Sequence, residues 1–564
     1  MRRRVIGLLG TAGLLAVFAC AHSAVAADPP LAPDHGVFAP LGADVQRLHL
    51  KYGPIHVPAG QNLILAGPVT IEKPQYDGYI TRIKPDLVEA DGNVPAIEKI
   101  HLHHAVWLSS RAPDSTCKNL NGSAGGERFF ASGEEKTVFR IPAPYGYPVK
   151  RSDTWLLNYM VHNETPISDT VWITYDVDFV PANSALGKTM KPVRPIWMDV
   201  QNCSAYPVFD THRGSGTNGQ VVYPDDYAKP YQGKPQNEWT VDRDGTIVTA
   251  AGHVHPGGLW DDLSLVRPQT AVARQLAEAS DQRAAAYRRY ARSLRGASPR
   301  MRRKRLAHWR KTHRVRSRAL TVTGDDAEAL AFRSDAHYFD PNGPISWDMA
   351  MTATPPDWRL RVHKGDKLRI RTGYETQRAS WYESMGIMVA YMADGDTTGL
   401  DPFTDAIKTS GKPTHGHLPE AANHGGQATG APDPAKLPDG QTLFNNALIS
   451  GFEYLPGNQG LAGFDSPPVV PKGTPLTFNN TDASPQIFHT ITACRTPCSG
   501  ATGISYPLAD GAGDFDSGQL GYGPTGFTAA ANRYDWATQP TLAPGTYTYF
   551  CRIHPFMRGA FRVK

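Results

Sequence analysis

Short apolar runs dominate the chain from about residue 52 to residue 392, and again after residue 441. Each run is broken after a few residues by Gly, Pro or Asn. Turn-separated runs of this length are typical of β-strands rather than of helices. The chain has 564 residues, enough for three or four domains. The pattern therefore predicts a mainly β protein with several hydrophobic cores.

Two segments depart from this pattern. Residues 271–320 are rich in Ala and Arg, which predicts a helical insertion. Residues 398–440 are rich in Pro, Gly and Ala, which predicts a mostly irregular linker. The linker contains three histidines, and we interpret them as ordinary linker residues: His415, His417 and His424.

The first 26 residues have a basic start, an apolar stretch and the small residues Ala-Val-Ala before Ala27. This order is typical of a cleaved signal peptide and predicts export to the periplasm, the cell surface or the medium. Cys20 lies in a poor lipobox and leaves lipid anchoring open. After residue 26 we expect no segment that spans a bilayer.

The net charge of +5 comes largely from the predicted helical insertion. A basic arm can contact nucleic acid or an anionic surface. For an exported chain we expect a solvated insertion that contacts an anionic envelope surface, and no nucleic-acid partner.

The C-terminal sequence places three metal-binding side chains within seven residues: Cys551, His554 and Met557. An upstream strand carries His489 after a polar turn. A thiolate and two imidazoles with a weak thioether are the ligands of a blue, type 1 copper site. The alternative is a buried free cysteine with unrelated neighbours.

Residues 441–564 resemble the cupredoxins, and the ending "HPFMRG" is most similar to the amicyanin and pseudoazurin type. The resemblance implies a Greek-key β-sandwich that binds copper through His489, Cys551, His554 and Met557. The segment from residue 494 to about residue 540 is longer than a minimal cupredoxin needs, so we expect an elaborated surface over the copper.

The preceding part of the chain contains an ordered set of histidines and a methionine: "HLHH" at residues 101–104, His162, "HVH" at residues 253–255, and Met385. Strand residues two apart share a face, so His253 and His255 can bind one metal. His103 and His104 are adjacent and can do so only near a bulge or a twisted strand end. A single histidine on a strand is more often a core or surface residue.

As a set, these residues resemble the copper type II, ascorbate-dependent monooxygenases, the family of peptidylglycine α-hydroxylating and dopamine β-monooxygenases. The resemblance implies two jelly-roll β-sandwich domains facing each other, at residues 52–185 and 192–397. One copper would relay electrons, bound by His103, His104 and His162. The other would bind O₂ for C–H hydroxylation, with His253, His255 and Met385 as its ligands and catalytic site. Met388 competes with Met385, and His101 has no counterpart.

Some features of that family do not transfer. Positions that would anchor a substrate carboxylate hold Ala251, Ile387 and Val389. Burying a carboxylate there without a charged partner is costly, so we expect a neutral or apolar pocket and not a peptidylglycine substrate.

Five cysteines remain after the signal peptide. If Cys551 is a copper thiolate, the other four can pair by elimination, Cys494 with Cys498 and Cys117 with Cys203. The sequence thus predicts an exported multicopper redox protein: an O₂-dependent monooxygenase with its own type 1 copper domain. The alternatives are an electron carrier with a non-catalytic N-terminal scaffold and a copper-sequestering envelope protein. The substrate and the physiological reductant stay open.

Overall fold

The computed structural model describes residues 44–97, 99–117, 126–201, 203, 207–227, 237–313, 321–341, 343–421, 432–444, 446–460, 463–482, 487–498, 508–509, 511–521 and 533–564. The predicted signal peptide and Cys20 lie outside these ranges. Strands far outnumber helices among the described residues, which confirms the predicted mainly β class. Short 3₁₀ turns occur at Gly187–Thr189, Pro419–Ala421, Pro434–Lys436 and Gly511–Gly513.

The first module is a sandwich of two sheets, with strand orders β1-β9-β3-β7-β10 and β2-β8-β4-β5, and with β6 paired to β3. Its strands are β1 Gln46–Val57, β2 Asn62–Ile71, β3 Gly78–Glu89, β4 Ile100–Ser109, β5 Glu127–Gly133, β6 Phe139–Arg140, β7 Tyr145–Val149, β8 Trp155–Asn163, β9 Asp169–Pro181 and β10 Lys191–Pro192.

Aromatic side chains join the two sheets of this sandwich. Trp107 of β4 contacts Phe130 of β5 in its own sheet and Tyr175 of β9 in the facing sheet, with ring centroids 5.0 and 5.8 Å apart. All three side chains are fully buried. Because β4 is buried along both faces, its polar residues lie inside the protein and not in solvent.

The second module is built on a sheet of order β11-β23-β15-β19-β18-β16-β21-β13, with β14, β17, β20 and β24 at its sides and β12 paired to β22. Its strands are β11 Arg194–Asp199, β12 Phe209–Thr211, β13 Gln220–Tyr223, β14 Glu238–Thr240, β15 Gly245–Val254, β16 Gly258–Pro268, β17 Thr321–Thr323, β18 Asp326–Tyr338, β19 Met349–Ala353, β20 Leu360–Val362, β21 Lys367–Glu375, β22 Trp381–Ser384, β23 Gly386–Asp394 and β24 Lys412–Pro413.

The two modules share one apolar core. Val389 and Tyr391 of β23 belong to the same buried cluster as Trp107 and Phe130 of the first sandwich. The Tyr391 hydroxyl donates to the Phe129 carbonyl across the boundary. The disulfide Cys117–Cys203 also joins the modules. The modules are therefore packed against each other along β15 and β23.

The predicted helical insertion forms two helices between β16 and β17, α1 Gln269–Ser293 and α2 Pro299–Thr312. Ser298 caps α2 by accepting a hydrogen bond from the Met301 amide. Helix α2 carries seven Lys and Arg residues and no acidic residue, and none of its side chains is buried. Among the described residues, neither helix combines the length and apolarity needed to cross a bilayer.

Part of the segment predicted as a mostly irregular linker is packed on the second module. Strand β24 pairs with β19, and the His417 Nδ1 atom lies 3.0 Å from an Asp348 carboxylate oxygen. His415 is buried and its Nε2 atom contacts the Glu135 carbonyl of the first module. Residues 398–421 therefore fasten the two modules, while His424 lies outside the described residues.

The C-terminal module has two four-stranded sheets, β26-β25-β28-β32 and β27-β34-β33-β30, and a short pair β29-β31. Its core is separate from the other two. The disulfide Cys494–Cys498 follows β30, as expected from elimination. Its strands are β25 Asn446–Ser450, β26 Glu453–Leu455, β27 Val469–Val470, β28 Thr477–Asn480, β29 Phe488–His489, β30 Thr492–Cys494, β31 Leu520–Gly521, β32 Asp535–Ala537, β33 Gly545–Phe550 and β34 Arg558–Val563.

Candidate metal centres

The C-terminal module brings three predicted donors together. The Cys551 sulfur lies 3.8 Å from Nδ1 of His489 and 3.7 Å from Nδ1 of His554, and the two Nδ1 atoms are 3.1 Å apart. All three side chains are fully buried. Two imidazole nitrogens and a sulfur at these distances can converge on one metal ion.

The loop between β33 and β34 sets this geometry. Cys551 directly follows β33. Its amide donates to the Met557 carbonyl, and the Met557 amide donates to the His554 carbonyl. The amides of Thr490 and His554 donate to the Cys551 sulfur, at 3.4 and 3.3 Å. Met557, the fourth predicted ligand, is also fully buried. The tight loop explains why Cys551, His554 and Met557 need only seven residues.

The electrostatics of this site favour a thiolate. Burial opposes ionisation, but hydrogen bonds and charges from His489 and His554 hold the pKa of Cys551 well below its usual range. Burial would lower the pKa of His489, yet Asp482 and Cys551 raise it overall. Burial lowers the pKa of His554. A thiolate beside two imidazoles is the donor set that soft and borderline copper ions prefer.

A second cluster of imidazoles lies at the boundary of the first and second modules. The ring centroid of His103 is 4.2 Å from that of His162 and 4.5 Å from that of His255. Trp347 packs on His103 and His255, with centroids 5.1 and 5.3 Å away. The resemblance assigns His103 and His255 to two different coppers, but the structure places their rings in contact.

His101, which the resemblance leaves without a role, belongs to this cluster. Its ring is 5.1 Å from that of His162, the residue paired with it across β4 and β8. Its Nδ1 atom donates to the Ile97 carbonyl at 2.8 Å, so Nε2 carries the free lone pair. His101, His162 and Glu164 each place one donor atom within 4.8 Å of the others. The signal in the sequence was the spacing of His101 and His103, which share a strand face.

The ladder between β4 and β8 has a register shift between Leu102 and His104. Such a bulge changes the direction of neighbouring side chains. It is the feature that the adjacent residues His103 and His104 need in order to bind one metal. Their ring centroids are 5.3 Å apart. His103, His162 and His255 line a common cavity, whereas His101 and His104 do not.

Three buried carboxylates surround the histidines, and the sequence analysis did not single them out. A Glu134 oxygen lies 3.4 Å from Nε2 of His101 and 3.4 Å from Nδ1 of His103. A Glu164 oxygen lies 3.7 Å from Nε2 of His101. Glu135 lies 3.0 Å from Nδ1 of His253. Oxygen donors therefore face the imidazoles from both sides of the cluster.

Burial dominates the protonation of these groups. It lowers the pKa of His101 to about 4 and that of His104 to about 3. It holds the pKa values of His103, His162 and His255 well below the usual range and raises that of Glu134 well above it. Burial opposes ionisation of Glu135, but His253 lowers its pKa overall. The imidazoles are thus neutral near pH 7, the form that binds metal ions.

The register of β15 and β23 distinguishes the two candidate methionines. His253 lies opposite Ile387, and Gly252 lies opposite Met388. Residues two apart share a face of a strand, so Met385 lies on the face of His253 and His255 while Met388 faces the second core. Met385 is buried in the shared core. The register therefore favours Met385 as the methionine ligand.

Ala251 and Val389 lie opposite each other on that same face, next to His253 and Ile387. Ala251, Ile387 and Val389 are buried in the shared core. The face beside the His253 pair is therefore apolar, in line with the pocket expected from the sequence. These three side chains are packed against the first module rather than exposed in a cleft.

One cavity of about 100 Å³ lies where the histidine cluster meets the C-terminal module. Its wall contains His103, His162 and His255 from the cluster. It also contains Thr490, Arg552 and Ile553, which are sequence neighbours of the donors His489, Cys551 and His554. Arg552 fixes this arrangement, because its guanidinium lies over the Trp381 ring at 4.4 Å and donates to the Asp516 carboxylate at 3.4 Å. The histidine cluster and the neighbours of the C-terminal donors thus line the same small space.

No protein-family model and no curated protein matches the chain. Among solved structures, the Cu(I) form of an amicyanin mutant is similar at 21% identity, covering 23% of this chain and 90% of its own, with a TM-score of 0.11. A copper-containing nitrite reductase from Thermus scotoductus SA-01 is similar at 12% identity, covering 57% of this chain and 58% of its own, with a TM-score of 0.15. Scores this low carry no argument, so the resemblance to the monooxygenases stays a prediction.

Proposed function

We propose that the chain is an exported copper-dependent oxidoreductase, in which a type 1 site in the C-terminal module supplies electrons to an O₂-using site in the histidine cluster. The observation that carries this proposal is the shared cavity, whose wall contains both the neighbours of Cys551 and the imidazoles of His103, His162 and His255. A site that takes electrons from another site must lie close to it, and the cavity brings the two together.

The C-terminal site fits copper. Its sulfur and two Nδ1 atoms converge without solvent exposure, and Met557 closes the same loop. His489, Cys551, His554 and Met557 would hold the ion. The amide hydrogen bonds of Thr490 and His554 to the sulfur would tune its reduction potential, as donors around a blue-copper thiolate do.

The histidine cluster also fits a metal. Nε2 of His101, Nδ1 of His103, Nε2 of His162 and Nε2 of His255 are buried and make no hydrogen bond to the described residues. Buried polar atoms without partners are costly, so a bound cation would satisfy several at once. By the resemblance, His253 would bind a second copper together with His255 and Met385. The charge of His253 acts on His104, although the resemblance assigns His104 to the other copper.

Bound copper would supply one-electron chemistry with O₂ at the cluster. The residues of the chain select what reaches it. A cavity of about 100 Å³ is far smaller than the ~300–1,000 Å³ of sites for drug-sized ligands. Trp347 covers the imidazoles, and the face of Ala251 and Val389 is apolar. The site therefore admits a molecule of the size of O₂, and any C–H substrate must be small.

The small volume of the cavity also favours a second candidate, an electron carrier with a non-catalytic N-terminal scaffold. The shared core along β15 and β23 leaves little room for a substrate. The two candidates differ in O₂ consumption: a scaffold binds copper without turnover, whereas an oxidoreductase consumes O₂ when a reductant is present.

The deciding experiment measures metal content, visible and EPR spectra, and O₂ uptake of the purified full chain. We expect one blue copper together with non-blue copper, and O₂ uptake that is lost in His162→Ala while the blue band persists. His363→Ala is the matched control, because His363 is a half-exposed histidine outside the cluster. Non-blue copper without O₂ uptake would favour the scaffold, and a chain without non-blue copper would contradict the proposal.

A further inference from the structure

The C-terminal module is seated on the first sandwich through a predicted copper ligand. Nδ1 of His554 faces the Cys551 sulfur, so Nε2 carries the hydrogen. This N–H donates to the Gly60 carbonyl at 3.2 Å, across 494 residues of sequence. The His554 side chain is fully buried. The outer edge of this imidazole is therefore covered by the chain itself.

The loop that accepts this bond is tied to the strand that carries His162. The Gly60 amide donates to the Thr165 carbonyl at 2.8 Å, and the Asn163 amide donates to the Gln61 carbonyl at 3.0 Å. The Asn163 side chain also donates to the Val57 carbonyl at 3.2 Å and the Pro58 carbonyl at 3.1 Å. Residues 58–61, named here the Gly60 loop, thus connect His554 to the residue that follows His162.

We propose that the Gly60 loop is both the docking contact of the C-terminal module and the route by which electrons leave it. The route crosses the hydrogen bond from His554 to Gly60, the peptide bond to Gln61, and the hydrogen bond between Gln61 and Asn163, next to His162. This step rests on the proposed function. With copper held by His489, Cys551 and His554 and by the cluster imidazoles, one electron would pass from Cu(I) at the first site to Cu(II) at the second, with no bond made or broken and O₂ as the final oxidant.

The loop also excludes other partners from this edge. Phe452 lies against both copper-site imidazoles, with ring centroids 5.6 Å from His489 and 5.2 Å from His554. Together, Phe452 and Gly60 cover the imidazole edge. A separate redox protein therefore has no access to His554 in the docked chain, and reduction from outside must use another face of the module.

Gly60 cannot be replaced without disturbing this contact. Its φ is +60°, and a Cβ atom there would lie 2.0 Å from two carbons of the Phe452 ring. Alanine at this position must push away either the ring or the loop. Gly324 is a matched control, because its φ is also +60° and a Cβ there would meet no atom within 4 Å.

The docking is tested on the metal-free full chain with diethyl pyrocarbonate, which modifies neutral imidazoles, and with mass spectrometry to locate the products. We expect His554 to be protected in the wild type, relative to the half-exposed His363, and in Gly324→Ala. In Gly60→Ala its modification rate should rise about tenfold or more, as overpacking a buried contact displaces one partner. Equal reactivity of His554 and His363 in the wild type would overturn the docking contact.

Electron transfer is tested on the copper-loaded chain by reducing it, mixing it with O₂ and following the return of the blue band. We expect a first-order return that is slower by about tenfold or more in Gly60→Ala and unchanged in Gly324→Ala. An unchanged rate in Gly60→Ala would overturn the route. If the wild-type rate equals that of His162→Ala, the proposed function fails, while the labelling result still decides the docking contact.

A second variant covers the case in which Gly60→Ala does not fold. Gly60→Ala/Phe452→Leu removes the ring carbons that the new Cβ would strike. We expect it to restore folding, His554 protection and the rate of blue-band return, with Phe452→Leu alone as its control. A double variant that folds and keeps His554 protected, but returns the blue band about tenfold more slowly than Phe452→Leu alone, would contradict the route.

Discussion

The two candidate metal centres differ in how the chain assembles them. The C-terminal site takes three of its four predicted ligands from one seven-residue loop, and only His489 comes from another strand. The histidine cluster instead combines β4, β8, the turn after β5 and the end of β15. A local site is specified by spacing, whereas a site between modules depends on packing. The first can therefore be predicted ligand by ligand, and the second only as a set.

The largest effect is expected from a substitution that disrupts only the C-terminal site. Cys551→Ser removes the only sulfur that can act as a thiolate, since the other cysteines of the described residues form disulfides. We expect complete loss of the blue band, because that colour is sulfur-to-Cu(II) charge transfer, with the cluster copper retained. Absorption and EPR spectra of the copper-loaded chain test this. A variant that stays blue would remove the basis of the assignment.

The next largest effect is expected from substitutions that disrupt only the histidine cluster. His162→Ala and His101→Ala each remove an imidazole whose free nitrogen lies among the donors. We expect each to lower the cluster's copper affinity by at least the ~10–100-fold seen when supporting residues of metal sites are lost. The blue band should be unchanged. Copper titration with a competing chelator measures both. If only His162→Ala weakens binding, His101 is an orienting or core residue.

Predicting the grouping within the cluster requires information that the sequence does not hold. The resemblance pairs His103 with His104, but His103 lines the cavity together with His162 and His255, whereas His104, beyond the bulge, does not. Glu134, Glu135 and Glu164 are unremarkable in a polar turn until the second module buries them. The contact of His103 with His255 depends on how the two modules share a core, which no local pattern encodes.

The linker shows the same limit. Its composition predicts an irregular tether, and most of its described residues are indeed irregular. Even so, β24 and the buried His415 fasten residues 398–421 to both modules. The strand alternation, the helical insertion and both disulfide pairings were predictable because each depends on local pattern or on simple counting. The domain boundaries stay predictions.

In the metal-free chain, the stability of the two regions should respond differently to acid. Burial lowers the pKa of His101 to about 4 from an ordinary 6.5, with Glu134, Glu164 and Lys136 around it. Between these values the unfolded chain binds a proton that the folded chain does not. The free energy of unfolding therefore falls as pH falls from 6.5 to 4, by about 3 kcal/mol for this group.

At His489 the sign is reversed. Its folded pKa is raised, so its stabilising contribution is present at low pH and is lost as pH rises through that value. His554 opposes His489, because burial lowers its pKa, whereas burial lowers the pKa of every cluster imidazole with a resolved shift. We therefore expect the first module to unfold before the C-terminal module on acidification, measured by hydrogen exchange of the metal-free chain. His101→Gln should flatten the pH dependence of the first module. The same slope in that variant would show that other groups cause the effect.

A smaller effect refines the C-terminal site without breaking it. Met557→Leu replaces a fully buried thioether by a side chain of similar volume, which costs less than about 1.5 kcal/mol. We expect the blue band to persist and the reduction potential to rise, because a weak axial donor that favours Cu(II) is lost. Redox titration of the band checks this. An unchanged potential would mean that Met557 is a core residue only.

The smallest expected effect tests whether the histidine cluster has a methionine ligand, as is predicted for the C-terminal site in Met557. Met385→Leu and Met388→Leu change side chains of the same kind on opposite faces of one strand segment, each at a cost below about 1.5 kcal/mol. Only Met385 shares the face of His253 and His255. We therefore expect Met385→Leu to weaken Cu(I) binding at that pair, since a thioether favours Cu(I), and Met388→Leu to leave it unchanged. Chelator competition under reducing conditions separates the two variants. Equal affinities would place both methionines in the core and leave the C-terminal site as the one with a sulfur ligand.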